Sequence, residues 1–217
     1  MPIHIGGSKI GQVFFGSQPI KEVYAGSLLV WSAEKWDFED DFERSSIGTA
    51  EWSGSGGLIA GTSGSKHLKK NSSAGSADYW TVRQFDTDNI EVEAVLGPVD
   101  SGSIRAAIIL GNPQSTYVYV EFQVNGGTLS HYTGSTWQQF ASVSAKPGGY
   151  TQGDVVVLKR TGSLVQFIVN GQVLGSGTSS YGWGVGNRRV ALTVRSAVEF
   201  ITMRYGPTFD RVRIRAN

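Results

Sequence analysis

Two glutamates lie two positions apart in the chain, at Glu91 and Glu93. In a β-strand, side chains two apart point to the same face, so the two carboxylates lie side by side. Paired carboxyl groups of this kind cleave glycosidic bonds. The next residue on the same face is Val95, which interrupts the acidic run. We therefore interpret the pair as part of a solvated sheet face and expect no catalytic residues and no enzymatic activity.

A second set of residues has the chemistry of a sugar-binding surface. Tyr117, Tyr119 and Glu121 share one face of a predicted strand, and His131 or Tyr132 follows on the next strand. Aromatic rings stack on sugar rings while polar neighbours bond the hydroxyls. Tyr181 and Trp183 add aromatic rings within a glycine-rich loop, and loops often carry binding residues. These five aromatic and acidic residues are our glycan-binding candidates: Tyr117, Tyr119, Glu121, Tyr181 and Trp183. Tyrosine as a good strand former, and aromatic rings that cap a sandwich, are the structural alternatives.

An acidic run near residue 40 offers oxygen ligands for a cation. It comprises Asp37, Glu39, Asp40, Asp41 and Glu43. Calcium takes about six to eight such ligands, but the run does not match the calcium-binding loop of an EF-hand. The alternative is ion pairing with the arginines that alternate along the last strand, Arg211, Arg213 and Arg215. We expect no cofactor, with calcium as the open alternative. The histidines, His4, His67 and His131, are scattered and predict no metal site.

Composition excludes several functions. The chain has 217 residues, no cysteine and a formal net charge of +1, so neither disulfides nor a thiolate zinc site can form, and charge gives no reason to expect nucleic acid binding. No apolar run is long enough to cross a membrane as a helix, and the N-terminus does not resemble a secretory leader. The 29 glycines and the many aromatic residues indicate short strands joined by tight turns.

The strands that must position these residues show a period of two. Apolar and polar residues alternate over 90–96 and 117–124, which predicts half-buried strands of antiparallel sheets. Hairpin turns are predicted at 125–127, 134–135 and 170–171. The segments 54–77 and 175–187 are rich in glycine and are predicted to be long loops or irregular edge strands. The predicted fold class is all-β.

The first 32 residues contain a repeat of ten residues. The segments 3–12, 13–22 and 23–32 align, with Gly6, Gly16 and Gly26 in one column. Each unit reads as strand, glycine turn and strand, and a unit this small cannot bury its own apolar face. We predict an anchoring or oligomerisation module over 1–32 and a second domain over 33–217. The candidate anchor residues are Val13, Phe15, Val23, Tyr24, Val30 and Trp31.

The second region resembles the concanavalin-A-like (laminin-G-like) lectin sandwich. The resemblance rests on segments 40–44, 164–174 and 209–214, which read DDFER, LVQFIVNGQVL and FDRVRI. It implies an antiparallel jelly-roll β-sandwich in which the first and last strands are neighbours. Hydrolases of this fold carry a third acid further along the strand, where this chain has Val95. The resemblance therefore adds no support for catalysis by Glu91 and Glu93.

The repeat resembles a short module at the start of bacteriophage minor tail proteins, through Val23-Tyr-Ala-Gly-Ser27 and Val30-Trp31. This resemblance implies a non-enzymatic virion structural protein that is assembled in the host cytoplasm. Its partners would be other virion proteins and further copies of itself, with a trimer as our estimate. The sandwich would be displayed for surface or host-glycan contact, without membrane insertion. The alternatives are a capsid decoration protein and a carbohydrate-binding or glycoside-hydrolase-like sandwich.

Overall fold

The computed structural model describes residues 36–182, 184–199 and 201–216, together with the strands of the segment before them. These described parts contain strands and no α-helix. Contacts divide the chain into two compact units, Met1–Trp36 and Asp37–Asn217. The strands are β1 (His4–Ile5), β2 (Ser8–Lys9), β3 (Val13–Phe15), β4 (Gln18–Ile20), β5 (Glu22–Ala25), β6 (Leu28–Ser32), β7 (Phe38–Asp40), β8 (Trp52–Ser53), β9 (Gly57–Ala60), β10 (His67–Lys70), β11 (Gly75–Thr81), β12 (Ile90–Leu96), β13 (Ala106–Gly111), β14 (Tyr117–Gln123), β15 (Gly126–Tyr132), β16 (Trp137–Val143), β17 (Val155–Thr161), β18 (Leu164–Val169), β19 (Gln172–Thr178), β20 (Arg189–Glu199), β21 (Thr202–Tyr205) and β22 (Phe209–Ala216).

The described strands of the first unit form three antiparallel pairs, β1–β2, β3–β4 and β5–β6, which we call hairpins because each pair joins consecutive strands. Their innermost strand pairs are Ile5 with Ser8, Phe15 with Gln18, and Ala25 with Leu28, so they recur every ten residues. The described strands of this unit thus recur with the ten-residue period of the sequence, and the turns predicted between them lie outside the described residues. The side chains of the candidate anchor residues (Val13, Phe15, Val23, Tyr24, Val30 and Trp31) lie outside the described part of the chain. Their anchoring role, and the domain boundary after residue 32, stay predictions.

The second unit is an antiparallel β-sandwich with the jelly-roll architecture that the sequence predicted. The first sheet has the strand order β19-β18-β17-β12-β22-β10-β9, and β7 also pairs with β22. The second sheet has the order β16-β15-β14-β13-β20-β11-β8, and β21 also pairs with β20. The pairing of β7 with β22 makes the first and last strands of the sandwich neighbours, as expected.

The core lies between the two sheets and follows the period of two. On β14, Val118, Val120 and Phe122 are fully buried, and on β17 Val156 and Leu158 are equally buried. Phe122 stacks on Phe167 of β18, with ring centroids 5.1 Å apart, and so joins the second sheet to the first. Because each large apolar side chain contributes about 1.5–3 kcal/mol when buried, this alternation fixes which face of each strand points to solvent.

Two turn predictions differ in outcome. Asn170 and Gly171 form the β18–β19 turn with φ angles of 49° and 82°, the positive values that an Asn-Gly hairpin turn requires. The β14–β15 hairpin is also present, but its turn begins at Val124, one residue earlier than predicted, because Gly126 already pairs with Gln123. The segment 54–77 contains β9, β10 and the start of β11, so strands alternate with loops there, and of these strands only β9 lies at the edge of a sheet.

Candidate functional site

The outer face of the second sheet gathers the side chains that alternate with the core residues. Strand register arranges them in rows that cross the strands. One row contains Trp80, Ala191, Ile109, Tyr119 and Ser130. The next row contains Asp78, Thr193, Ala107, Glu121 and Thr128. The sheet thus places the predicted Tyr119 and Glu121 among residues from four other strands.

Five aromatic side chains form a continuous cluster on this face. We call Trp80, Tyr117, Tyr119, Tyr132 and Trp137 the aromatic wall. The ring centroids of Tyr117 lie 5.9 Å from Trp80 and 5.2 Å from Tyr132, and those of Tyr132 and Trp137 lie 4.6 Å apart. Tyr117 points outward as predicted, but its neighbours bury it, and this burial raises the pKa of its phenol. Trp137 differs, because 59% of its surface stays exposed.

A groove of about 380 Å³ runs beside the aromatic wall. Small side chains form its floor, with Ala107 and Thr193 on the two central strands β13 and β20. Tyr117, Tyr119 and Trp137 line one side, and the lining on β11 and β20 is polar, from Ser76, Asp78 and Arg195. Large residues therefore flank a strip of small ones, which gives the otherwise flat sheet a concave surface suited to a ligand.

Glu121 is held by two arginines at the bottom of this groove. Its Oε2 accepts a hydrogen bond from Arg105 Nη1 at 2.9 Å, and its Oε1 pairs with Arg195 Nη2. The carboxylate side chain is 13% exposed, whereas Arg105 is 53% exposed. Because both oxygens of Glu121 are engaged, the orientation of its carboxylate is fixed. The side chain of Arg105 remains half exposed to solvent.

Of the two loop candidates, Tyr181 does not join this cluster. The ring of Tyr181 lies 4.3 Å from that of His131, centroid to centroid. His131 pairs with the inward-facing Val118, so its side chain lies on the opposite face of the sheet from Tyr119. Its Nδ1 also lies 3.2 Å from Ser179 Oγ. Trp183 lies outside the described residues.

Glu91 belongs to an ion-paired face of the first sheet. Its Oε1 accepts a hydrogen bond from Arg215 at 2.6 Å, and its Oε2 lies 3.0 Å from Lys159 Nζ. Glu93 pairs in register with Arg213 on the same face. Glu91 thus lies on a charged face of the first sheet, with its side chain only 12% exposed, and the absence of a catalytic role stays a prediction.

The acidic run is distributed among structural contacts. Glu39 pairs with Arg213 at 2.8 Å, which confirms one predicted ion pair, whereas Arg215 pairs with Glu91 instead. Both oxygens of Asp40 bond Arg44 at 2.6 Å, and Oδ2 also accepts the Trp52 indole N–H at 2.7 Å. Glu43 accepts the backbone N–H groups of residues 64 and 66. Within the described residues, no group of three or more acidic or histidine side chains is arranged to hold a metal ion.

Sequence reasoning missed several residues of the groove. Trp137 could have been found, because the predicted turn at 134–135 places it opposite Tyr132. Trp80 and Asp78 belong to β11, which is separated from β14 by β13 and β20. No local sequence pattern predicts that β11 and β14 contribute to the same groove. Arg105 and Arg195 are likewise brought to Glu121 only by strand order. The structure holds no helix, among the residues it describes, that is long and apolar enough to span a membrane.

Comparisons with known proteins bear on the fold. No family model and no curated protein matches the sequence. Solved structures do match. A galectin-like protein of unknown function from Bacillus subtilis aligns with a TM-score of 0.60 and 11% identity over 83% of this chain and 96% of that protein. The β-glucanase of Bacillus licheniformis aligns with a TM-score of 0.55 and 10% identity, over 83% of this chain and 98% of the glucanase. A carbohydrate-binding module from Bacillus subtilis aligns with a TM-score of 0.54 and 10% identity, over 77% of this chain and 96% of the module.

At these identities the similarity concerns architecture alone. The coverage shows that nearly the whole of each matched protein corresponds to the major part of this chain. Together with the two antiparallel sheets and the adjacent first and last strands, it establishes the fold that the sequence suggested. Residues 37–217 thus have the fold of a concanavalin-A-like, galectin-like antiparallel β-sandwich.

Proposed function

We propose that the sandwich binds a glycan in the groove beside the aromatic wall. The observation that carries this proposal is the exposed indole of Trp137, which is held against Tyr117 and Tyr119 at the rim of a groove with a polar lining. Sugars present apolar C–H faces that stack on aromatic rings and hydroxyls that need hydrogen-bonding partners. Asp78, Arg195 and Ser76 supply such partners opposite the rings.

The surface differs from an ordinary strand rich in tyrosine. Most of the aromatic wall is packed against itself, with Trp80 and Tyr117 each 8% exposed. Trp137 alone of the five keeps more than half of its large apolar surface in water, which costs free energy unless a ligand covers it. The glucanase and the carbohydrate-binding module among the similar structures support a sugar ligand as an analogy of fold.

We propose further that the protein binds without cleaving. Glycoside hydrolysis needs one carboxyl group to donate a proton and a second to act as nucleophile or base. Glu121 has both oxygens committed to Arg105 and Arg195, and Glu91 has both committed to Arg215 and Lys159. Neither carboxylate is free to approach a glycosidic oxygen without breaking two ion pairs. Hydrolysis of a bound polysaccharide that is abolished by Glu91→Gln, Glu93→Gln or Glu121→Gln would contradict this proposal.

Glycan binding is tested by screening the full-length protein against a glycan array and soluble polysaccharides, followed by titration calorimetry on those it binds. We expect Trp137→Ala to weaken binding about tenfold or more, in line with the cost of losing one aromatic stacking partner. Tyr205→Ala is the matched control, because Tyr205 pairs with Ser196 on the opposite face of the sheet. Equal effects of the two variants, or no binding to any glycan, would refute the proposal.

A second proposal concerns the first unit and its resemblance to phage tail modules. We propose that the protein is a structural component of a bacteriophage virion, anchored to other virion proteins through β1–β6 and assembled in the host cytoplasm. The three hairpins at ten-residue intervals support it, since strands this short need a partner to stabilise them. The glycan would then be a host-surface polysaccharide. A capsid decoration protein requires the same anchor and is the alternative location.

The anchoring proposal includes self-association, for which we estimate a trimer. The measurement is the solution mass of the full-length protein beside that of residues 33–217, by light scattering. Circular dichroism serves as a check that the shorter chain is folded. We expect only the full-length protein to oligomerise. If both proteins are monomers, self-association through the hairpins is excluded. If residues 33–217 are still incorporated into phage particles at the level of the full-length protein, the hairpins are not the anchor.

A further inference from the structure

A second depression continues the groove beyond Glu121. It has a volume of about 230 Å³ and is lined by Arg105, Glu121, Gln123, the turn residue Asn125 and the β15 residues Gly126, Gly127 and Thr128. Glu121 lines both depressions, and its ion pair with Arg105 lies where they meet. The aromatic groove and this polar depression therefore form one surface.

The combined groove crosses the strands rather than following one of them. Its lining extends from Ser76 and Asp78 on β11, across β20, β13 and β14, to Thr128 on β15. Four inter-strand steps of about 4.8 Å give a length of about 19 Å. A single sugar ring is much shorter than this, so the surface fits a chain of several sugar units.

The two ends of this groove differ in chemistry. The aromatic wall borders the first depression, whereas the described residues that line the second include no aromatic side chain. Gln123 and Asn125 carry amides that can both donate and accept, and Thr128 carries a hydroxyl. Arg105 adds a half-exposed guanidinium, of which Nη1 bonds Glu121. A guanidinium has five N–H donors, so the exposed remainder of Arg105 can bind an acceptor from solution.

The charge at this end favours an anion. Glu121 shares its single negative charge between Arg105 and Arg195, which leaves a net charge of +1 on the three side chains. Asp78, the other acid of the groove, lies on β11, and β20 and β13 separate that strand from β14. Arginine binds carboxylates in a two-pronged geometry that a hydroxyl cannot match.

We propose that the second depression is a subsite for the carboxylate of an acidic sugar, with Arg105 as its specificity-determining residue. The ligand class is then an acidic oligosaccharide or polysaccharide, one neutral face of which stacks on the aromatic wall. This inference rests on the proposed glycan binding and extends it. The shared carboxylate of Glu121 positions Arg105 and Arg195 and does not itself contact the anion.

The experiment uses matched acidic and neutral probes on the full-length protein. Polygalacturonate, alginate and hyaluronan oligosaccharides are titrated beside the same oligosaccharides after reduction of their carboxyl groups to alcohols. We expect at least one acidic probe to bind about tenfold more tightly than its reduced form, the difference a charge-assisted hydrogen bond provides. Raising the ionic strength from about 0.05 M to about 0.5 M should reduce the difference in affinity between the acidic probe and its reduced form, because salt screens exposed charges.

The variants separate this subsite from the aromatic one. Arg105→Ala should remove the preference for the acidic probe, and Arg105→Lys should recover only part of it, since lysine lacks the planar fork. Arg204→Ala is the matched control, because Arg204 is 46% exposed and forms a comparable pair with Asp100 at 3.0 Å. A thermal melt of each variant checks that it is folded.

The outcomes distinguish the two proposals. If the acidic probes bind no more tightly than their reduced forms, or if Arg105→Ala weakens both forms equally, the acidic subsite is overturned. Glycan binding itself survives that result as long as Trp137→Ala still weakens a neutral ligand. If no acidic and no neutral glycan binds the wild-type protein, both proposals fall together.

Discussion

The rings of Tyr119 and Trp137 meet edge to face, with centroids 5.6 Å apart and planes at 88°. They belong to β14 and β16, which are separated by β15. The contact spans that strand because Tyr119 pairs with the small Ser130 there, so the indole of Trp137 can lean across it. Tyr119 therefore supports one side of the exposed indole, and the orientation of Trp137 depends on it.

This dependence predicts that the two residues act together in binding. We expect Tyr119→Ala and Trp137→Ala each to weaken glycan affinity about tenfold, and the double variant to lose less than the product of the two. The reason is that Trp137 is already misplaced once Tyr119 is gone. Titration calorimetry of the four proteins gives the coupling. Fully additive losses would show that the rings contact the ligand independently.

Gly111 is predicted to be essential for the position of Tyr117. A Cβ at Gly111 would lie 2.5 Å from both Cα and Cβ of Tyr117, and its φ of +146° disfavours other residues. We expect Gly111→Ala to lower the free energy of unfolding by about 2 kcal/mol or more and to weaken glycan binding. Gly75→Ala is the control, since Gly75 has a φ of +120° with open space around it. Chemical denaturation should show a smaller decrease in the free energy of unfolding for Gly75→Ala than for Gly111→Ala.

Tyr150→Phe is predicted to stabilise the protein. The Tyr150 hydroxyl is buried without a hydrogen-bonding partner in the described structure, and its ring packs on Phe122 at 5.0 Å. Removing an unpaired buried hydroxyl should raise the free energy of unfolding by about 1 kcal/mol. Unchanged or lower stability in denaturant titrations would indicate that the hydroxyl has a partner after all.

The same residue predicts a pH dependence. Burial, and secondarily the charge of Asp154, raises the pKa of Tyr150 above its ordinary value of 10.0. A folded pKa above the unfolded one gives stability that is complete below about pH 10 and is lost as the pH rises further. The Phe variant should therefore lose less stability than the wild-type protein between about pH 9 and about pH 11. Tyr205→Phe is the control, and equal alkaline losses in all three proteins would contradict the assignment.

Asp154 is predicted to stabilise the protein except in acid. Its Oδ2 accepts the Thr151 N–H and its Oδ1 the Asn170 side-chain amide, both at 2.8 Å. Burial alone would raise the pKa of Asp154, but the hydrogen bonds from Asn170 and Thr151 and the contact with Lys146 outweigh it and hold the pKa below 3.8. A depressed folded pKa gives stability above the unfolded pKa that is lost as the pH falls through the folded one.

Asp154→Asn should accordingly cost about 2 kcal/mol near neutral pH, and the difference from the wild-type protein should shrink below about pH 4. Denaturant titrations across this range make the measurement. Asp100→Asn is the control, because Asp100 forms a more exposed pair with Arg204 and should change stability little. A difference that is the same at every pH would show that the carboxylate charge is not the cause.

Calcium is predicted not to affect stability. Asp40 is buried with its two oxygens on Arg44 and Trp52, and Glu43 bonds two backbone N–H groups, so these acids already have partners. Melting temperatures with calcium and with a chelator should agree. Asp40→Ala should cost about 1–3 kcal/mol, because it leaves the buried Trp52 indole N–H without its acceptor, while the exposed Asp41→Ala should cost little. A melting temperature that rises with calcium would restore the calcium hypothesis.

The sequence by itself determined the strands and their faces. Alternation with a period of two fixed which side chains of β12 and β14 enter the core, because burying the wrong set would expose every large apolar residue. Asn170-Gly171 and Gly134-Ser135 marked hairpins for a similar local reason, since only a few residues tolerate the backbone of a tight turn. Tyr119 and Glu121 were therefore assignable to one outward face, and the ten-residue repeat to three short hairpins.

Only the tertiary structure decided what stands beside those residues. Asp78 and Trp80 reach the site because β11 pairs with β20 and β20 with β13, an order that follows from how two whole sheets pack and from no local signal. The same long-range pairing carries Arg195 to Glu121, and it turns Tyr181 toward His131 on the other face. Local periodicity determines which face of a strand each side chain points to. Which strands become neighbours in a sheet depends on contacts between residues far apart in the chain, and local sequence patterns do not specify these contacts.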